Sequence, residues 1–207
     1  MNIIATVHGR YVFGRRVRVL AEHLAALIPP GASVLDVGCG DGTLAKLIGA
    51  QRPDVTIRGI DLLVREHTAI PVEAFDGAKF PAADGAYDVV MFVDVLHHTD
   101  NASQLLQEAR RVSRHSILIK DHTRNGWLAG PTLRLMDAVG NARFGVALPY
   151  NFWTHDQWRS AFGELGVVVE AWSSQLHLYP AWADWVFGRS LHFIAQLRVQ
   201  RPAPGER

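Results

Sequence analysis

Apolar residues recur along this chain in two rhythms. Over residues 11–28 they fall three and four apart, at Val17, Leu20, Ala21, Leu24 and Leu27, which predicts a helix with one buried stripe. Arg15, Arg16 and Arg18 lie mostly off that stripe and read as a solvated face. Pro29, Pro30 and Gly31 stop the helix. Short apolar runs at residues 33–37, 55–60, 72–75, 87–94 and 116–120 predict strands. The run from Val89 to Val93 is apolar without alternation, the mark of a strand buried on both faces, as in parallel sheets. Helical spacing returns between these runs, at residues 43–50 with Leu44, Leu47 and Ile48, and at 103–112 with Leu105, Leu106 and Ala109. Residues 62–68 read as a short helix fragment and 79–86 as a loop.

Beyond Lys120 the pattern is less regular. Residues 131–139 have helical spacing, with Leu133, Met136 and Val139 on one side. Thr154 and Gln157 stand in capping-box positions before a helix that carries Trp158, Phe162 and Leu165 and ends at Gly166. Residues 167–172 and 192–198 predict two last strands, joined by an aromatic-rich connection. Strands alternating with helices imply βαβ units and a doubly wound α/β sheet. In such sheets ligands bind outside the carboxyl ends of the strands. Asp36, Asp61, Asp76, Asp94 and Asp121 close successive predicted strands and should gather along that edge.

Length and composition narrow the class. With 207 residues the chain suits one domain over 1–200, with an N-terminal helical segment at 1–30, acceptor-side insertions at 122–155 and 173–191, and a flexible tail at 201–207. Lys+Arg 21 against Asp+Glu 20 offers no electrostatic case for nucleic acid. The one cysteine, Cys39, permits no internal disulfide and suggests a reducing compartment. No basic segment followed by an apolar run opens the chain, and no stretch approaches the roughly 20 apolar residues that span a bilayer. The expected location is cytoplasmic.

Val34-Leu35-Asp36-Val37-Gly38-Cys39-Gly40-Asp41-Gly42-Thr43 carries the chemistry: a buried strand, a glycine turn, then a helix start. Glycines allow tight turns and close ligand approach, and the following helix N–H groups face the turn. Two cofactors compete for such a loop. A dinucleotide site would use an acid about 20 residues on, which Asp61 supplies, yet Thr43 stands where its third glycine belongs. A carboxylate at Asp36 would repel a pyrophosphate. It suits S-adenosylmethionine (SAM), which carries a sulfonium and an ammonium and no phosphate.

The motif set resembles the class I SAM-dependent methyltransferases, in their group of small stand-alone domains. The matching residues are Val34 to Gly42, Asp61 closing the second strand, Asp76-Gly-Ala-Lys-Phe-Pro81, Tyr87-Asp88, and Asp94-Val-Leu-His97-His98. The resemblance implies a Rossmann-like three-layer fold with seven strands, mostly parallel, the last antiparallel. It implies that Asp36, Val37, Gly38, Cys39 and Gly40 hold the methionine end of the cofactor. Asp61 would take the ribose hydroxyls and Leu62 would pack on the adenine. Asp76 and Gly77 would meet the adenine edge, and Asp94 and Val95 would line the pocket near the sulfonium. One departure is Ser113-Arg114-His115-Ser116, where the family usually has a Pro-Gly-Gly turn.

Methyl transfer is an in-line displacement, so alignment and water exclusion are the main tasks. A base is needed only where the acceptor must lose a proton. His97, His98, Asp121 and His122 follow the fourth and fifth strands and are the candidate catalytic groups, His98 first. No metal is expected. The absence of an Asn/Asp-Pro-Pro-aromatic sequence and of a Pro-Cys nucleophile disfavours base methylation of nucleic acid. Trp127, Tyr150, Phe152 and Trp153 suggest an aromatic pocket for a small organic or lipid-like acceptor. A monomer or homodimer is expected, with peripheral membrane contact available to residues 173–191. A SAM-binding regulatory protein without turnover is the alternative, and an NAD-dependent oxidoreductase a more distant one.

Overall fold

The computed structural model describes residues 3–141, 149–188 and 190–200. Seven strands form one sheet: β1 (Ser33–Val37), β2 (Thr56–Asp61), β3 (Val72–Ala74), β4 (Tyr87–Val93), β5 (Ser113–His122), β6 (Val167–Ser173) and β7 (His192–Val199). Their order is β3-β2-β1-β4-β5-β7-β6. Every pair is parallel except those of β7, which runs antiparallel between β5 and β6. The start of β7 therefore lies beside the end of β5, with His122 opposite His192.

Helices cover both faces, as the unbroken apolar runs require. Side chains alternate across a strand. Val90 and Phe92 of β4 pack on one face with α3 (Ala102–Val112) and α5 (His155–Leu165). Val89 and Met91 pack on the other, where Leu20, Leu24 and Ile28 of the α1 (Ile3–Leu27) segment meet Ile48 of α2 (Thr43–Gln51). A small third cluster joins Leu133 of α4 (Ala129–Asn141) to Phe152 and Leu191. α5 opens with the expected capping box: the Thr154 hydroxyl accepts from Gln157 N at 3.3 Å, and Gln157 Oε1 accepts from Thr154 N at 2.8 Å. Gly166 closes it in the left-handed conformation, φ 68°.

Three expectations are corrected. Residues 62–68 form bends and not a helix; the Asp61 carboxylate accepts from Leu63 N at 2.9 Å and turns the chain away at the strand end. β5 begins at Ser113, three residues early, because the Ser113 hydroxyl donates to Ser116 O at 2.8 Å and the register against β4 shifts between Tyr87 and Val89. Finally, only Arg18 of the three arginines is exposed; Arg15 and Arg16 are half-buried, and Arg16 is drawn inward by Asp94. The 173–191 connection is partly core: Leu176 and Leu178 are buried on the α1 side, and α6 (Ala181–Phe187) follows with Trp185 79% exposed. Among the described residues no helix is long and apolar enough to cross a membrane.

Candidate active site

The glycine loop leaves β1 with Gly38, Gly40 and Gly42 all at positive φ, a conformation that side chains resist. Gly38 N donates to Ile60 O at 2.8 Å, tying the loop to β2. Space forbids a side chain at two nearby glycines. A Cβ on Gly38 would lie 2.7 Å from Val95 Cγ2, and one on Gly59 would lie 2.3 Å from Cys39 Sγ. At Gly40 a Cβ would meet nothing within 4 Å, so the loop is open there. Cys39 is thus a packing residue against Gly59; burial and the nearby carboxylates push its thiol up, away from reactivity.

The three carboxylates expected at the cofactor differ. Asp36 is 3% exposed, and among the described residues no hydrogen bond reaches its carboxyl. Burial, then the charge of Asp61, pushes its pKa up to about 8. Asp61 is anchored: it accepts from Gly40 N at 2.8 Å and from Leu63 N at 2.9 Å. Two of a carboxylate's roughly four acceptor positions remain for hydroxyl groups. Asp76 accepts from Lys79 N and Ala78 N, both at 2.8 Å, and those bonds hold its pKa down. Leu62, 63% exposed, comes so close to Gly77 that a Cβ there would sit 2.9 Å from Leu62 Cδ2. Gly40 is thus tied to Asp61, Leu62 comes against Gly77, Asp36 feels the charge of Asp61, and Val95 packs at Gly38.

Asp94 is placed differently. It closes β4 in a left-handed conformation, φ 58°, with its N–H on Lys120 O at 2.8 Å. Such backbone costs about 1–3 kcal/mol and persists where surroundings enforce it. Here they are ionic: Arg16 of α1 and the fully buried Lys120 of β5 both bind the Asp94 carboxylate. Burial would raise the Asp94 pKa, but Lys120 and Arg16 hold it well below the usual range. Burial in turn brings Lys120 down to about 8. Lys120 Nζ also lies 3.3 Å from His192 Nδ1.

A histidine cluster continues from there. His97 and His98 form a 3-10 turn, Leu96–His98, held by Asp121, which accepts from Leu96 N at 3.0 Å. Asp121 Oδ1 lies 2.6 Å from His97 Nδ1 and 3.3 Å from His122 Nδ1. Burial opposes charge on His97, yet Asp121, then Asp137 and Asp94, raise its pKa to about 9. Burial, then His97, lowers that of His98. Burial, then Lys120, lowers that of His122 to about 4. Asp137 of α4 reaches both neighbours, 3.4 Å from His98 Nε2 and 3.7 Å from His97 Nε2.

The predicted aromatic pocket is only partly assembled. Phe152 stacks on His97 with centroids 5.1 Å apart, and Tyr150 lies 6.2 Å beyond Phe152. Trp153 instead packs against Trp158 at 4.7 Å, toward the core, and Trp127 is 86% exposed. Sequence reasoning missed Arg16, Lys120, Asp137 and His192. Faint signals existed: Arg16 stands four residues before Leu20, and Asp137 four after Leu133, so each shares a buried helix stripe.

Known proteins match this chain in both sequence and fold. A family model described as a methyltransferase domain matches residues 8–172. Ribosomal RNA-processing protein 8 of Caenorhabditis briggsae is 38% identical over 92 residues, 44% of this chain and 26% of that protein. The 2-methyl-6-phytyl-1,4-hydroquinone methyltransferase of a Synechocystis species is 31% identical over 149 residues, 63% of this chain and 41% of that protein. The chain therefore matches less than half the length of either relative. The crystal structure of the PH0226 protein from Pyrococcus horikoshii aligns over 97% of this chain and 100% of its own, with TM-score 0.67 at 17% identity. With glycine loop, strand-end carboxylates and sheet order all in place, the chain belongs to the methyltransferase-domain family and is a class I SAM-dependent methyltransferase in fold and cofactor-site motif.

Proposed function

We propose that the protein transfers a methyl group from SAM to an oxygen, nitrogen or carbon atom of a small organic or lipid-like acceptor. The observation that carries this reading is Asp36: a buried carboxyl beside the glycine loop, near a second carboxylate and without a hydrogen-bond partner among the described residues. Such a group favours a cationic ligand, and the open side of Gly40 leaves room for one. The residues present therefore fit SAM. Asp36 and the backbone of Val37, Gly38, Cys39 and Gly40 would hold its amino-acid end. Asp61 would accept from the ribose, and Leu62, Asp76 and Gly77 would bound the adenine. Val95 would close the sulfonium side, beside Asp94. Bound there, SAM supplies an electrophilic methyl group on a good leaving group.

The acceptor would sit over the ends of β4 and β5, beside Phe152 and Tyr150, which continue from His97. Where the acceptor carries a proton, His98 is the group to take it. Its lowered pKa keeps it neutral at pH 7, and its side chain is 16% exposed. His97, raised to about 9, is cationic at that pH, and Asp121 orients it. His122, at about 4, is too weak a base and packs the cluster instead. The match to a prenylated hydroquinone methyltransferase and the aromatic residues favour a small apolar acceptor. Charge balance gives nucleic acid no support.

Calorimetry with SAM, its demethylated product and NAD tests the cofactor: binding of NAD with none of SAM refutes the reading. Incubation with methyl-labelled SAM and a metabolite extract tests turnover. A labelled small molecule supports the enzyme; label absent from every extract, with SAM bound, points to a regulatory protein.

A further inference from the structure

The structure assigns His97, His98 and Asp137 as the ligands of a divalent transition-metal ion with one coordination position left open. Zinc-class ions bind imidazole and carboxylate donors at about 2.0–2.2 Å, which sets neighbouring donors of a tetrahedral site about 3.3 Å apart. Asp137 Oδ1 lies 3.4 Å from His98 Nε2 and 3.7 Å from His97 Nε2, and all three donor atoms fall within 4.8 Å of one another.

The orientation of His97 supports the assignment. Its Nδ1 faces Asp121 Oδ1 at 2.6 Å, so the N–H on that side is donated there, and Nε2, turned toward Asp137, is the atom that a metal ion would take in place of a proton. A proton alone would join one nitrogen to one oxygen. The second imidazole, aimed at the same oxygen, is what a metal ion needs and a proton does not. A carboxylate holding the far nitrogen of a ligating histidine is also the usual outer support of such sites.

Asp121 and His122 make a second candidate group with His97. There, however, Asp121 already accepts from His97, His122 N and Leu96 N. Asp121 is therefore a support and Asp137 the ligand. Two nitrogens and one oxygen favour zinc, cobalt, nickel or iron(II) over magnesium or calcium, which prefer oxygen. Phe152 covers one side of His97, and His98, at 16% side-chain exposure against 2% and 5% for the other two, marks the open side.

The site lies on the acceptor side of the proposed reaction and rests on that reading only for its role. With the ion bound, His98 is a ligand and not a base. An acceptor hydroxyl on the open position would lose its proton to water through coordination.

The test uses metal alone. Protein stripped with chelator is titrated with Co2+, Zn2+ and Mg2+, followed by calorimetry and, for cobalt, visible absorption. One Co2+ or Zn2+ per chain is expected, at a Kd of about 1 μM or below, with four-coordinate cobalt bands and no Mg2+ binding. Asp137→Asn and His98→Gln should each weaken binding at least about 30-fold, and Asp121→Asn about 10–100-fold. His115→Gln, on an exposed histidine, and Asp36→Asn should leave it unchanged. Thermal melts confirm that the variants are folded. No binding by folded protein up to about 1 mM metal, or binding that survives both ligand variants, overturns the assignment. Metal bound without SAM refutes the methyltransferase reading alone; SAM bound without metal refutes the metal site alone.

Discussion

Asp36→Asn separates stability from function at one atom. In the folded protein the Asp36 carboxyl titrates at about 8, against an ordinary 3.8. A carboxyl whose folded pKa is raised binds its proton more tightly when folded. It costs nothing below pH 3.8, costs progressively more as pH rises, and reaches its full cost above about 8. At about 1.36 kcal/mol per unit, the span from 3.8 to 7 corresponds to about 4 kcal/mol of stability lost at pH 7, where the carboxyl must take up a proton to be buried. Asparagine is near-isosteric and never ionises, so the variant should be more stable by up to that amount at pH 7. A kilocalorie shifts the melting temperature of a chain of this size by about 2–4 °C, so a rise on the order of 10 °C is expected. Melts of both proteins without SAM, from pH 4 to 9, should coincide at pH 4, diverge up to about pH 8 and run parallel above it. The same variant loses the counter-charge for the cofactor's ammonium and should bind SAM about 100-fold or more weakly, a buried charge pair broken on one side. A pH-independent gap in melting temperature, or a variant less stable at pH 7, would falsify the reasoning, because Asp36 would then be a satisfied carboxylate. Retained SAM affinity would place the cofactor elsewhere.

Three further outcomes follow from the geometry. The raised His97 pKa, about 9 against 6.5, contributes stability that is full below pH 6.5 and lost as pH rises through 9. Asp121 holds that charge together with Asp137 and Asp94, so Asp121→Asn should cost up to about 3 kcal/mol at pH 6 by urea titration, shrinking toward pH 9.5, and a cost that grows with pH refutes the pairing. Gly59→Ala drives a Cβ into Cys39 Sγ and should displace the glycine loop, weakening SAM binding about 10-fold or more; adding Cys39→Ala should recover most of the loss, and no recovery in calorimetry means the clash is not the cause. Thr154→Ala removes the capping box of α5 and should cost about 1 kcal/mol in urea with an unchanged m-value.

The alternation of apolar runs and helical stripes determined the α/β sheet, because burial on both faces leaves its mark on every residue of a strand. The glycine loop, Asp36, Asp61 and Asp76 were legible for a related reason: local backbone needs and strand ends place them without reference to distant chain. Residues 62–68 misled because their composition permits a helix, while one hydrogen bond from Leu63 N to Asp61 turns the chain instead. The pairings within the charged network were not legible. Arg16 and Asp94 are 78 residues apart, and no spacing rule links them. Lys120 looked like the polar end of a strand until β7 and α1 enclosed it. Asp137 looked like the polar side of a helix until α4 set it against His97 and His98. Only the tertiary structure decided which histidine is charged, which is neutral and which is a poor base. Those states depend on how far each group is removed from water and on which charge lies within a few ångströms, and neither quantity exists before the chain has folded.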